Sequence, residues 1–130
     1  MTGHLVLATI HTNDAASAVT RLTDMGVEPF LLSSSLLGVL AQRLVRKLCT
    51  HCRGAGCPSC GQTGYQGRSG VFELLVTDDS IRAQIHSRAS EADIRAAALA
   101  AGMVLMRDDG ERLVQLGLTS REELVRVTRD

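Results

Sequence analysis

The alternation of apolar and polar positions divides the chain into segments of changing period. His4-Leu5-Val6-Leu7-Ala8-Thr9-Ile10 is almost wholly apolar over a short length, the pattern of a strand covered on both faces in a parallel sheet. The run stops at His11-Thr12-Asn13-Asp14. There Asn13 or Asp14 is placed to cap a helix whose Ala15, Val19, Leu22 and Met25 recur at helical spacing until Gly26 ends it. Strand, polar turn and helix make half of a βα unit. A short helix is predicted from Pro29 to about Ser35, whereas Leu37 to Leu48 fits a helix or a strand and period alone leaves both open. Val71 to Val76 reads as a strand and Asp78 to about Ser87 as a helix. Ser90-Glu91-Ala92-Asp93 has the form of a capping box opening a helix to Ala101, with Gly102 beyond it. Two more short helices follow, one over Arg107 to Leu116 before Gly117, the other from Thr119 or Ser120 with Glu122 and Glu123 in its first turn. The expected class is α/β with a small helical subdomain at the C-terminal end.

Between these segments, Cys49 to Gly70 breaks every period. It holds all four cysteines and half of the glycines, a composition that predicts a loop or a metal knuckle and divides the chain into 1–48, 49–70 and 71–130. The cysteines form two pairs, Cys49-Thr50-His51-Cys52 and Cys57-Pro58-Ser59-Cys60. Two Cys-x-x-Cys knuckles supply the four thiolates of a tetrahedral Zn²⁺ site, and Gly54 and Gly56 let the connector turn tightly. Two disulfides or four free thiols are the competing readings, and ligand count and spacing favour structural zinc. Four thiolates leave no open coordination position, so such a metal staples the fold and does no chemistry. Arg46, Lys47 and Arg53 are expected to offset the negative charge of the centre, and His51 inside the first knuckle is a spectator.

Composition removes several function classes. Formal net charge is zero and aromatic content is 2%, without Trp, so both the field and the stacking platforms of a nucleic-acid binder are missing. Arg43, Arg46 and Lys47 cut short the longest apolar stretch, so no membrane span is expected, and the opening residues lack the charged and small-residue regions of a signal peptide. The chain reads as cytoplasmic. The sole lysine, Lys47, is not part of a Gly-Lys-Ser/Thr phosphate loop, and no carboxylate cluster follows a strand to hold Mg²⁺. Catalysis by this chain alone is therefore not expected. His11 lies at the C-terminal end of the first predicted strand, the edge where open α/β sheets place ligands, and there it could reach a phosphate. Its competing reading is a strand-end residue bonded to the following turn. His4, seven residues upstream, would be about 23 Å away along an extended chain, too far to share that phosphate. Arg21 is by default a solvated face residue of the following helix. Asp108, Asp109 and Glu111 fit first-turn carboxylates matched to a helix dipole.

Four ordered segments carry a family resemblance. Thr2-Gly3-His4-Leu5-Val6-Leu7-Ala8-Thr9-Ile10-His11-Thr12-Asn13-Asp14-Ala15 resembles the histidine box of secretion ATPases. Val19 to Phe30, Leu36 to Cys49 and Gly64 to Leu74 continue the match at the right spacing. The chain is similar to type II secretion ATPases and their pilus-assembly relatives over essentially its whole length. The resemblance implies the C-terminal part of a RecA-like P-loop ATPase domain, beginning just after Walker B. It implies His11, and less directly His4, as histidine-box residues near the γ-phosphate, and Arg21 as a basic residue facing nucleotide or a neighbouring subunit. Cys49, Cys52, Cys57 and Cys60 match the family's tetracysteine element, although the family usually places a longer insertion between its pairs than the four residues found here. The resemblance also implies that Leu37 to Leu48 is a strand. It implies that ATP and Mg²⁺ act only in the full-length protein. Finally, it implies a hexamer at the inner membrane that contacts platform proteins and drives pseudopilus assembly. Two other classes compete. Cys49 to Gly56 fits the Cys-x-x-Cys-x-Gly-x-Gly repeat of DnaJ-type chaperones, but for only one and a half repeats. A free-standing zinc-stabilised interaction module without a nucleotide role is the other. A motor fragment predicts that the first strand, without sheet neighbours, exposes apolar surface and promotes aggregation.

Overall fold

A computed structural model describes residues 3–129; Met1 and Thr2, which open the first segment and the histidine-box match, and Asp130 lie outside the described residues. Six helices and two strands follow in the order α1 (Ala15–Asp24), α2 (Pro29–Ser35), β1 (Gly38–Leu48), β2 (Tyr65–Val76), α3 (Asp79–His86), α4 (Glu91–Ala100), α5 (Met106–Gln115) and α6 (Arg121–Val127), with one 3₁₀ turn at Pro58–Cys60. The helix starts are chemically specified. Asp14 caps α1 in a reciprocal capping box with Ser17, Asp78 accepts from the Ile81 amide, Ser90 from Asp93 and Ser120 from Glu123. Gly26, Gly102 and Gly117 follow their helices with positive φ, as the sequence pattern anticipates.

Leu37 to Leu48, ambiguous by period, resolves as strand. β1 and β2 pair antiparallel from Gly38↔Val76 to Leu48↔Tyr65, with one irregularity between Arg46 and Leu48. A parallel pair needs a crossover, usually helical, whereas the segment joining these strands holds the cysteine knuckles and only a 3₁₀ turn. β2 also begins six residues before the expected Val71, at Tyr65, because Tyr65 to Gly70 pair with the far end of β1. The inner face of the hairpin carries Val45, Val71 and Leu75, over which the helices pack. One core cluster joins Ala15, Ala16, Val19, Leu32, Leu75, Ile81, Ile85, Ile94 and Ala98; a second joins Val45, Val71, Met106 and Leu113. In α5, Gly110 is packed so closely on Leu124 that a Cβ there would collide with the leucine methyl groups.

The strand expected over His4–Ile10 is absent. Leu5, Val6 and Leu7 are 74%, 76% and 89% exposed, and among the described residues β1 and β2 pair only with each other. A strand is held by its ladder, and no segment here supplies one to residues 4–10. The helix predicted to follow does form, with Arg21 exposed on it. The outer face of the hairpin is likewise bare, with Leu40, Leu44, Phe72, Leu74 and Val76 all exposed. No described helix is long and apolar enough to cross a membrane.

Candidate metal centre and the turn before the first helix

The four cysteines converge. Cys49 follows the last residue of β1 and is fully buried, while Cys57 and Cys60 bracket the 3₁₀ turn. Their Sγ atoms all lie within 4.8 Å of one another, with Cys49–Cys57 and Cys52–Cys60 at 3.8 Å and Cys57–Cys60 at 3.7 Å. A tetrahedron with metal–sulfur bonds near 2.3 Å has edges of about 3.8 Å, so the thiol set is close to that of a tetrahedral tetrathiolate site. These separations are far beyond a sulfur–sulfur bond, and all four cysteines are free.

The surrounding backbone supports the same reading. The amides of Gly56 and Gly64 point at the sulfurs of Cys52 and Cys60, each at 3.2 Å, the polarising outer contacts that thiolate ligands require. Gly64 also has φ +83°, and a Cβ there would stand 2.6 Å from the Gly54 carbonyl oxygen, so only glycine closes the two knuckles on each other. Backbone hydrogen bonding from Cys52 and His51 lowers the Cys49 thiol. Burial pushes Cys57 up to about 11. At Cys60 burial acts in the same upward sense, but the backbone N–H groups of Cys57 and Gly64 prevail and hold it at about 6. Crowded thiols thus resist ionising together, and a bound cation is what would relieve that repulsion.

Of the three basic residues expected beside this centre, Lys47 and Arg53 line a groove with Cys49. Arg46 is committed elsewhere. Its guanidinium lies 4.2 Å over the Tyr65 ring, and its Nε donates at 2.6 Å to Glu123, whose side chain is fully buried and also accepts from Arg126 at 2.5 Å. Burial opposes charge on Glu123, but hydrogen bonds from Arg126 and Arg46 outweigh it and hold the carboxyl at about 2. With Tyr65 bonded to Ser120 and Thr119 to the Arg46 carbonyl, this network ties the strand that carries Cys49 to α6. The sequence reads Glu123 as a first-turn carboxylate; its Arg126 contact is a local pair three residues apart, whereas the Arg46 contact, formed across the fold, leaves no local signature.

His11 and Arg21 come together. With Thr12, Asn13, Ser17, Thr20 and Asp24 they line one shallow hollow at the start of α1, whereas His4 is exposed and is not part of that lining. Asp14 holds this turn twice, capping α1 through Oδ1 and accepting from Arg95 of α4 through Oδ2 at 2.6 Å. Burial works against the Asp14 charge, but the Ser17 hydrogen bonds and Arg95 lower the carboxyl below its usual range. On the far side of Asp14 a larger cleft is lined by Arg43, Glu73, Glu91, Arg95 and Arg107. Glu73 was not singled out from sequence. Its signal was phase: it sits between Val71 and Leu75 on the buried side of β2, where alternation calls for an apolar residue.

Comparison with known proteins places this arrangement. The family described as "Type II/IV secretion system protein" matches residues 1–126. "Type II secretion system protein HxcR" of Pseudomonas aeruginosa is 64% identical over 100% of the chain, which spans 29% of that relative. "Type II secretion system ATPase E" of Vibrio cholerae is 47% identical over 100% of the chain and 31% of its own length, and "Type IV pilus assembly ATPase PilB" of Thermus thermophilus 44% identical over 96% and 17%. Among solved structures, that of the pilus retraction motor PilT with bound ADP superposes with a TM-score of 0.73 at 26% identity, covering 99% of this chain and 34% of the other. The chain therefore spans less than a third of the length of these curated relatives. Matched along almost its whole length, it belongs to the type II/IV secretion system protein family.

Proposed function

We propose that this chain is the C-terminal part of the RecA-like ATPase domain of a type II secretion motor, with residues 1–48 completing the nucleotide-binding core, 49–70 forming a zinc element and 71–130 a strand plus helical subdomain. The observation that carries the reading is the 64% identity to HxcR along the full chain, within which His11 and Arg21 share one hollow. In this reading His11, and more distantly His4, contact ATP phosphate, and Arg21 faces the nucleotide or the next subunit. ATP and Mg²⁺ act only with the phosphate loop and acidic strands of the full-length protein. Cys49, Cys52, Cys57 and Cys60 hold Zn²⁺, as the set of four thiols and their spacing support. The motor assembles as a cytoplasmic hexamer, peripheral at the inner membrane through platform proteins, and powers pseudopilus assembly. The exposed apolar run at Leu5–Leu7 is accounted for as a segment that becomes a sheet member only beside neighbours encoded in the remainder of such a motor.

A chimera tests this. The part of HxcR preceding its matched region, joined in frame to this chain, is expected to hydrolyse ATP, and the chain alone is not. His11→Ala in the chimera is expected to lower kcat by roughly 100- to 1,000-fold, the range for removal of one group that stabilises transition-state charge. A folded chimera without ATPase activity, or one indifferent to His11→Ala, would refute the assignment.

A further inference from the structure

Glu73 is 2% exposed, and its Oε1 has no hydrogen-bond partner among the described residues. An orphaned buried carboxylate oxygen is costly, and a donor brought within reach of it is stabilising. Glu73 lines a cleft of about 520 Å³ whose rim carries Arg43, Arg95, Arg107 and Arg129 together with Asp14 and Glu91. The four rim guanidinium groups are charged donors of the kind such an oxygen accepts from.

The candidates differ in how firmly they are held. Arg95 is engaged by Asp14 at 2.6 Å and Glu91 at 3.6 Å, and Arg107 donates to the hydroxyl and carbonyl of Thr128 at 3.2 Å each. Arg43 makes a single long contact among the described residues, from Nη2 to Oδ1 of Asn13 at 3.4 Å, and unlike Arg129, which lies beyond α6, it is carried on the strand paired with Glu73's own. Register puts Arg43 close to the orphan. Ala41 pairs with Glu73, and Arg43 lies two residues further along the same face of β1, a diagonal separation of about 7–8 Å that a long side chain spans.

We propose that Arg43 is a two-position switch, its guanidinium resting either on Asn13 of the turn between His11 and α1 or on Oε1 of Glu73. When Asn13 is drawn away, Arg43 falls onto β2, where the neighbouring Phe72 amide is already bonded to Asp109 of α5. The state of the turn is thereby passed to the sheet and the C-terminal helices. That the turn senses nucleotide rests on the function proposed above; the switch itself does not.

The test is a carboxyl NMR titration of Glu73 in the 130-residue chain without nucleotide, below the concentration at which it self-associates. Burial, then the charge of Asp14, hold this carboxyl above its ordinary range, against weaker opposite pulls from the Met106 amide and Arg95. Removing the competing acceptor with Asn13→Ala is expected to lower the Glu73 pKa by about 1–3 pH units, as a guanidinium arriving within hydrogen-bond reach does. Asn13→Ser, which keeps a turn-forming side chain, is expected to act alike and covers failure of the alanine variant to fold. Adding Arg43→Gln to either is expected to abolish the fall. A Glu73 titration unchanged in both variants, or a fall that survives Arg43→Gln, overturns the switch. A switch that passes while the chimera hydrolyses no ATP sinks only the nucleotide reading.

Discussion

Individual residues in this chain matter most where charge is buried, and Glu123 is the strongest instance. Its fully buried carboxylate holds Arg46 and Arg126, whose own side chains are 45% and 59% exposed, so solvent screens part of the gain. Glu123→Gln is expected to cost about 1–3 kcal/mol, read as a lower urea midpoint with unchanged slope. The pH dependence follows from the folded carboxyl lying at about 2, below the unfolded value of about 4.3. A depressed acid stabilises above its unfolded pKa, so the contribution is full above pH 5 and is lost as pH falls from about 4.3 towards 2. The Gln variant should lose that part of the acid sensitivity. Only the Arg126 pair, three residues along the same helix, is local: Ser-x-x-Glu announces a helix start, and the approach of β1 is what adds Arg46 and makes the third residue of that helix the centre of an ion-pair network.

At the scale of elements, the cysteine knuckles and the hairpin depend on each other. The Cys49 amide donates to the Gly64 carbonyl, so a metal held by the four thiols would close the loop between the two strands much as a staple would. Removing metal with a chelator, or replacing Cys57 by Ser, is expected to release the segment from Cys49 to Gly64 and lower the melting temperature, while α3 and α4, packed around Ile81, Ile85 and Ile94, persist. Hydrogen exchange resolved by residue checks this: protection lost evenly across the chain would show that the centre staples the entire fold instead. Here the sequence was informative, since the spacing of two Cys-x-x-Cys pairs anticipates that the four thiols converge. Helix starts were legible for the same reason, because a cap is a contact between residues three positions apart. The strand ambiguity at Leu37 to Leu48 was not resolvable by period, because pairing with β2, far along the chain, decides it.

For the whole molecule, the governing fact is apolar surface with nothing on it. Leu5, Val6 and Leu7 are exposed, and so is the outer face of the hairpin. The chain is expected to self-associate with rising concentration, and Leu5→Lys with Leu7→Lys to reduce that association several-fold in light scattering; a monodisperse wild-type chain at high concentration would contradict it. What the sequence determined by itself was local or combinatorial: caps, helix spans, the thiol set and the family match, each readable because its parts lie within a few residues or recur in fixed order. What only tertiary structure decided was long-range: that His4–Ile10 has no ladder, that the hairpin is antiparallel, that Arg43, Glu73 and Arg95 line one cleft, and that Arg46 meets Glu123 across the fold. Those depend on which distant segments are present to pair and which charges are enclosed together, and neither is written in the order of neighbouring residues.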